Sequence, residues 1–464
     1  LGGGGEEDDS GGPALPEGLG GDKEKGDEGT GPALPEGLGG GGAEEQPTEE
    51  QKKSWRERLP FEFGGFLEGR AGIRTREDDY QNDSPLSELR LQLEIDKYFD
   101  GVHTFLTTDF VHDTVQPSSE IDLETGRGWL DMREAGFSAT PVSFMDVKVG
   151  RQILTWGTGD LVFLNDLFPK DWRSFFSGRD VEYLKAPSDA AKVSVFSDVA
   201  NLDIVYTPAF DPDRFNDGER LSFWRDGLGR RAGEDAVIQT EHRSSWFDDD
   251  EIALRLHRMV GSYEVAAYFY DGFWKSPGGM DPMTGNATFP DLTVYGASVE
   301  GRLGPGIANT EVAYYDSDDS DGDDPFVNND QFRFLVGYDQ EMAAFFPSVK
   351  DFTVGLQYYL EHKLDYDEYR DTLPPRIEAD ERGHHVLTLR LTKLYWNQNL
   401  ELSLFTFYSP SDSDAYLRPR VTYDVTDNWK VVTGGNIFVG EHDYTFFNQF
   451  QNNSNVYAAL RYSF

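Results

Sequence analysis

The sequence has no cysteine in 464 residues. That removes thiol nucleophiles, disulfide cross-links and thiolate metal sites, and it is compatible with an oxidising compartment. No apolar run reaches the ~18 residues that a membrane-spanning helix needs. Cations are scarce: 42 Lys and Arg stand against 84 Asp and Glu, a net charge of −42. Without a basic stripe to neutralise phosphates, nucleic acid is excluded as a partner. Catalytic signatures are missing as well. There is no Gly-x-Ser-x-Gly elbow and no His-Glu-x-x-His helix. The adjacent pair His384-His385 stands at a loop–strand junction, where neighbouring side chains point to opposite sides and make a poor ligand set. No enzymatic activity and no cofactor are expected.

What the sequence does have is alternation. Phe61, Phe63, Gly65, Leu67, Gly69, Ala71 and Ile73 share one face, with Glu62, Glu68, Arg70 and Arg74 on the other. Leu89, Leu91, Leu93 and Ile95 oppose Glu88, Arg90, Gln92, Glu94 and Asp96. Leu417, Val421, Tyr423 and Val425 oppose Arg418, Arg420, Thr422 and Asp424. A period of two sustained over about ten residues at a time is the repeat of a transmembrane β-strand, apolar toward lipid and polar toward a lumen. It reconciles the charge and the mean hydropathy of −0.57 with a membrane protein, because only alternate residues meet lipid. Short links such as Thr140–Phe144, Val260–Tyr263, Tyr395–Asn399 and Asp424–Trp429 alternate with long polar ones such as Asp113–Gly126, Gly157–Leu184, Phe210–Asp248 and Asp365–Arg382. The expected fold is all-β, a transmembrane antiparallel β-barrel of about 18 strands, with about 16 left open because strands near Tyr183–Tyr206 are weakly marked. A soluble propeller or sandwich has shorter strands, of about 5–6 residues.

The first 59 residues form a separate object, residues 60–464 being the barrel. Gly, Glu, Asp and Pro dominate this tail, and too few apolar residues are present to offset the entropy of ordering, so disorder is expected. The segment Gly12–Gly21 recurs unchanged as Gly31–Gly40. Pro13, Leu15, Pro16 and Leu19, repeated as Pro32, Leu34, Pro35 and Leu38, offer apolar anchors on an extended backbone. Duplication raises the effective concentration of such a motif at a partner; low-complexity drift is the alternative. Pro47-Thr48-Glu49-Glu50-Gln51 predicts a capping box that opens a short helix through Arg58. With no signal-peptide pattern at its start, the chain reads as a mature form.

Two features carry a family resemblance. In the last strand Val456, Ala458, Leu460, Tyr462 and Phe464 alternate with Tyr457, Ala459, Arg461 and Ser463. That aromatic ending resembles bacterial outer-membrane barrels, in which it serves as an insertion signal. Arg133 and Glu134, then Gly150-Arg151-Gln152 and Trp156-Gly157, are similar to motifs of the proteobacterial alginate-export and related porin-like proteins. The resemblance implies the outer membrane of a Gram-negative bacterium, contact with its lipid and lipopolysaccharide, and periplasmic termini. It implies a channel for passive transport or export of small or amphipathic solutes. The twin motif is no part of the family pattern; its expected partner is a periplasmic protein of an export or lipid-transport system. The alternative is a non-conducting anchor that presents the tail.

The polar faces nominate Arg70, Arg74, Arg90, Glu94, Arg133, Arg255, Arg333, Arg390, Arg418, Arg420 and Arg461 as pore-lining, unless they pair with acids such as Glu68, Glu88, Asp109, Glu311 and Glu361. Gly157-Thr158-Gly159 permits a sharp bend, and the stretch that follows is too aromatic for a solvated loop. Phe168, Trp172, Arg173, Phe175 and Phe176 are therefore expected to fold inward as a constriction suited to apolar or amphipathic solutes, with packing on the wall as the alternative. Asp316, Asp318 and Asp321 carry the hard oxygen ligands of an external Ca²⁺ site, although the twelfth-position Glu of an EF-hand is missing. A solvated acidic loop is the other reading.

Overall fold

The computed structural model of the chain describes residues 59–374 and 377–464. The twin motif and the capping-box helix lie outside the described residues. Among those described, 18 strands form one antiparallel sheet. They are β1 (Glu62–Arg74), β2 (Ser87–Phe99), β3 (Val102–Asp113), β4 (Leu130–Val142), β5 (Met145–Ile153), β6 (Pro187–Val195), β7 (Asn201–Thr207), β8 (Glu251–Val260) and β9 (Tyr263–Phe273). There follow β10 (Asp291–Leu303), β11 (Gly306–Ser317), β12 (Gln331–Glu341), β13 (Phe352–Lys363), β14 (Gly383–Tyr395), β15 (Leu400–Ser409), β16 (Asp414–Asp424), β17 (Trp429–Gly440) and β18 (Asn455–Ser463).

The sheet closes on itself. β1 pairs with β2 on one side and with β18 on the other, in a register from Phe66↔Ser463 to Arg74↔Asn455. Closure pairs the backbone groups of every strand, which lipid requires because hydrocarbon offers no hydrogen bonds. Side chains follow the alternation. In β1, Glu68, Arg70 and Arg74 are buried within, while Leu67 and Ile73 face out. Leu67, Leu89, Leu356 and Leu460 remain 42–56% exposed. An apolar belt of this extent on a closed barrel is the lipid-facing surface.

The weakly marked stretch holds two strands: β6 pairs with β5 and β7, and β7 continues to β8. Link lengths depart from strict alternation in two places. At the short-turn end, where β1 begins and Phe464 bonds to Gly65, the β12–β13 link is long and carries a 3₁₀ turn over Met342–Ala344. At the long-loop end the β15–β16 link is a short turn, with Ser409 opposite Asp414. The Asp414 carboxylate there accepts the Phe447 amide at 2.7 Å, so the following loop folds over the short one. In β4 the register slips at Arg133, which has no cross-strand partner in β3. This bulge turns Arg133 and Glu134 to the lumen together, where alternation alone would separate them.

Candidate functional site

The connection between β5 and β6 does not leave the barrel as a solvated loop. It crosses the lumen and bonds to inward-facing side chains on nearly every side. Gly157 adopts a φ of +81° at the turn. Just beyond it, the buried Glu311 carboxylate of β11 accepts the amides of Thr158 and Gly159, the Thr158 hydroxyl at 2.9 Å and the Asn165 amide group at 2.7 Å. Gln357 of β13 holds both backbone groups of Asp160, at 3.0 and 3.1 Å. Tyr315 donates to the Leu164 carbonyl at 2.5 Å. Phe168 then inserts into an apolar cluster with Ala253, Tyr270, Val294 and Tyr315 on the β8–β11 wall.

Asp171 caps a single helical turn, α1 (Trp172–Ser177), by accepting the Ser174 amide at 2.7 Å. Gly178 ends it in the left-handed region at φ +103°, where a Cβ would meet the Tyr457 ring at 2.6 Å. Between the caps, Phe175 and Phe176 pack on Phe407, Tyr416 and Phe438 of the opposite wall, β15–β17. After α1 the contacts become ionic. Arg179 bonds Glu88 at 2.8 Å, Asp180 bonds Arg420 at 2.7 Å, and Glu182 bonds Arg461 at 2.7 Å. Burial pushes the Asp180 carboxyl up, but Arg420, Arg461 and Arg70 outweigh it and hold the group at about 2.

Every residue nominated as pore-lining lies on the inward face, and most are paired. Arg70 bonds Glu68 at 2.8 Å, Arg90 bonds Asp109 at 2.5 Å, and Arg333 bonds Glu361 at 3.2 Å. Arg255 pairs with Glu264, Arg390 bonds Asp339 at 2.6 Å, and Arg461 bonds Glu68 at 2.8 Å. Arg74, Arg133 and Arg418 have no ion pair among the described residues. Arg74 and Arg133 each donate to carbonyls at 2.8 Å, and Arg418 stacks 3.9 Å over the Phe175 ring. Glu94 is exposed toward the short-turn mouth.

The aromatic residues are placed differently from the constriction expected. Phe168, Phe175 and Phe176 are 5%, 2% and 4% exposed. They are anchors sunk into the walls, because a ring gains more from apolar burial than from lining a polar passage. Trp172 is half-buried, its indole donating to Asp213 at 3.0 Å. Arg173 lines a cavity that the rings of Phe175 and Phe176 do not enter.

A second loop, residues 208–250, also enters the lumen. Arg214 grips Asp131 at 2.8 and 2.9 Å, and Arg220 pairs with Asp113. Asp213 accepts the Lys170 amide at 2.6 Å, tying this loop to the first. Its composition marks it only as a long polar link, because Arg–Asp pairs made inside a barrel are indistinguishable from solvated ones in a sequence. Where the two loops meet the β3–β4 link and the β2–β4 wall lies a cavity of about 370 Å³.

The remaining candidates do not assemble. Asp318 and Asp321 are exposed and do not converge with Asp316, while Asp319 accepts the Gly322 amide at 2.9 Å. His384 pairs with Asp412 at 3.1 Å and His385 with the Tyr358 hydroxyl at 2.8 Å. Among the described residues no group of three or more His, Asp or Glu side chains converges as a metal site.

No family model matches the sequence, and no curated protein matches it. Among solved structures the chain is similar to Acinetobacter baumannii OccAB1, with a TM-score of 0.51 and 10% identity over 90% of this chain and 99% of that one. It is similar to OccAB3 of the same organism, again at 0.51 and 10%, over 87% of this chain and 99% of that one. At that identity the likeness is one of fold, a closed antiparallel β-barrel.

Proposed function

We propose that the protein is an outer-membrane channel for passive transport or export of small solutes, with both termini in the periplasm. The observation that carries this reading is a closed barrel whose outside is an apolar belt and whose lumen is lined by arginine and carboxylate groups. A lumen that served only to fill space would be better stabilised by apolar packing, because buried ion pairs repay their desolvation poorly. The segment Gly157–Leu184 narrows the passage. Since its rings are sunk into the walls, the solutes favoured are small and polar rather than apolar. The twin motif of the tail recruits a periplasmic component, through Leu15 and Leu34 among its anchors.

One observation favours a second reading, a non-conducting anchor: the segment is bonded to the wall on nearly every side. Single-channel recording in planar bilayers separates the two. Steady conductance from the full chain supports the channel. Silence that persists after removal of Asp166–Phe176 supports the anchor. For the tail, a peptide spanning Gly12–Gly40 should capture a periplasmic protein, and changing Leu15 and Leu34 to Asp should abolish capture.

A further inference from the structure

The crossing segment covers only part of the lumenal face of β1–β3. Toward the long-loop end Arg70, Glu88 and Arg90 lie against it, meeting Gly178, Arg179 and Tyr183, and are 2–7% exposed. Toward the short-turn end the same face opens on the mouth. Glu62 and Glu94 are exposed there, and Asp96 is half-buried. Glu62 stands directly opposite Asp96, and Glu94 directly opposite Gly64. Like charges opposed across a ladder are destabilising, and cations close by relieve them. None of the three carboxylates has a Lys or Arg partner among the described residues; Asp96 bonds the His103 ring at 2.7 Å. Beside them Tyr98, 66% exposed, stacks 4.2 Å from the same ring.

The cations that would answer this face stand immediately upstream in the sequence. Residues 53–58 carry Lys53, Arg56 and Arg58, three in a chain that has only 42 in 464, with Trp55 among them. Connectivity delivers them to the right place. Residue 58 is four positions before Glu62 and residue 53 is nine, a reach of at most about 15–30 Å. A tether of that length gives an effective concentration on the order of millimolar. Exposed ion pairs too weak to hold a separate peptide are then enough to hold this one.

We propose that the mouth-side face of β1–β3, with Glu62, Glu94 and Asp96, is a docking surface for residues 53–58 of the same chain. Lys53, Arg56 and Arg58 meet the carboxylates, and Trp55 meets the Tyr98–His103 pair, since aromatic rings favour offset or edge contacts with one another. Docked there, the segment narrows the passage from the short-turn side. Only that narrowing rests on the channel reading; the docking does not.

The test is disulfide trapping in the full chain, which has no cysteine to interfere. Ser54→Cys is combined with Thr107→Cys, at the position opposite Glu94, or with Thr353→Cys on β13, in detergent with copper–phenanthroline as oxidant. Trapping at position 107 should be about tenfold faster than at 353, the scale of three exposed ion pairs acting together. Glu62→Lys with Glu94→Lys and Asp96→Lys should abolish the preference. Adding Lys53→Glu, Arg56→Glu and Arg58→Glu should restore it, which a barrel merely damaged by the first exchange would not do. Equal trapping at the two positions, a preference that survives reversal of the face, or a double exchange that restores nothing overturns the assignment. A preference lost when anionic vesicles replace detergent assigns the segment to the lipid surface and overturns it as well. Conductance is read separately: trapping that leaves conductance unaltered removes the narrowing and keeps the docking.

Discussion

The two halves of the lumen-crossing segment are held by different physics. From Gly157 to Phe176 the contacts are mainly a carboxylate clamp on backbone amides and aromatic rings sunk into the β8–β17 wall, with a single ion pair to the wall, Asp160 to Arg390 at 3.1 Å. From Arg179 to Glu182 they are ion pairs to β2, β16 and β18. Aromatic burial involves no titrating group, whereas the ion pairs depend on protonation. The contrast teaches how a segment can stay in place while part of it responds to conditions: the buried rings do not titrate, and the ion pairs of the second half do.

The largest expected effect comes from emptying the aromatic anchor. Phe175→Ala with Phe176→Ala removes two nearly fully buried rings, at about 3–5 kcal/mol each. The segment should detach, and single-channel conductance should rise several-fold. Next is Gly178→Ala, which meets both a left-handed φ of +103° and the Tyr457 ring. A cost of at least about 1–2 kcal/mol is expected, seen as a lower temperature for loss of the segment's protection from protease. Glu311→Gln removes the charge from a carboxylate that accepts four donors from the segment. A loss of about 1–3 kcal/mol should follow, measured as larger open-state noise.

The smallest effect at neutral pH sharpens the contrast through acid. Asp180 sits at about 2 in the folded protein, against about 3.9 for an unperturbed Asp. Its folded pKa is depressed, so its contribution is complete above pH ~3.9 and is lost as pH falls through the folded value. Conductance in the parent should therefore increase between about pH 4 and 2, and Asp180→Asn should remove much of that rise while the aromatic half stays docked.

How much of this was legible in the sequence follows the same division. The barrel was legible because its rule is local: Leu67 out and Glu68 in is written residue by residue. The inward course of Gly157–Leu184 was legible because Phe168, Trp172, Phe175 and Phe176 are too apolar for solvent. That the rings face the walls was not legible, since a ring is equally apolar whichever way it turns. The inward course of the β7–β8 loop was not legible, because Arg214 and Arg220 find their carboxylates, Asp131 and Asp113, on other strands, and such pairings leave no mark at fixed spacing. The bulge at Arg133 was likewise hidden, as a register slip is a property of two strands.

The central claim, a polar channel narrowed by a docked segment, is tested most directly by single-channel recording of the full chain beside one lacking Asp166–Phe176. The account predicts a small steady conductance in the first and a several-fold larger one in the second. Silence in both, or equal conductance in the two, would contradict it.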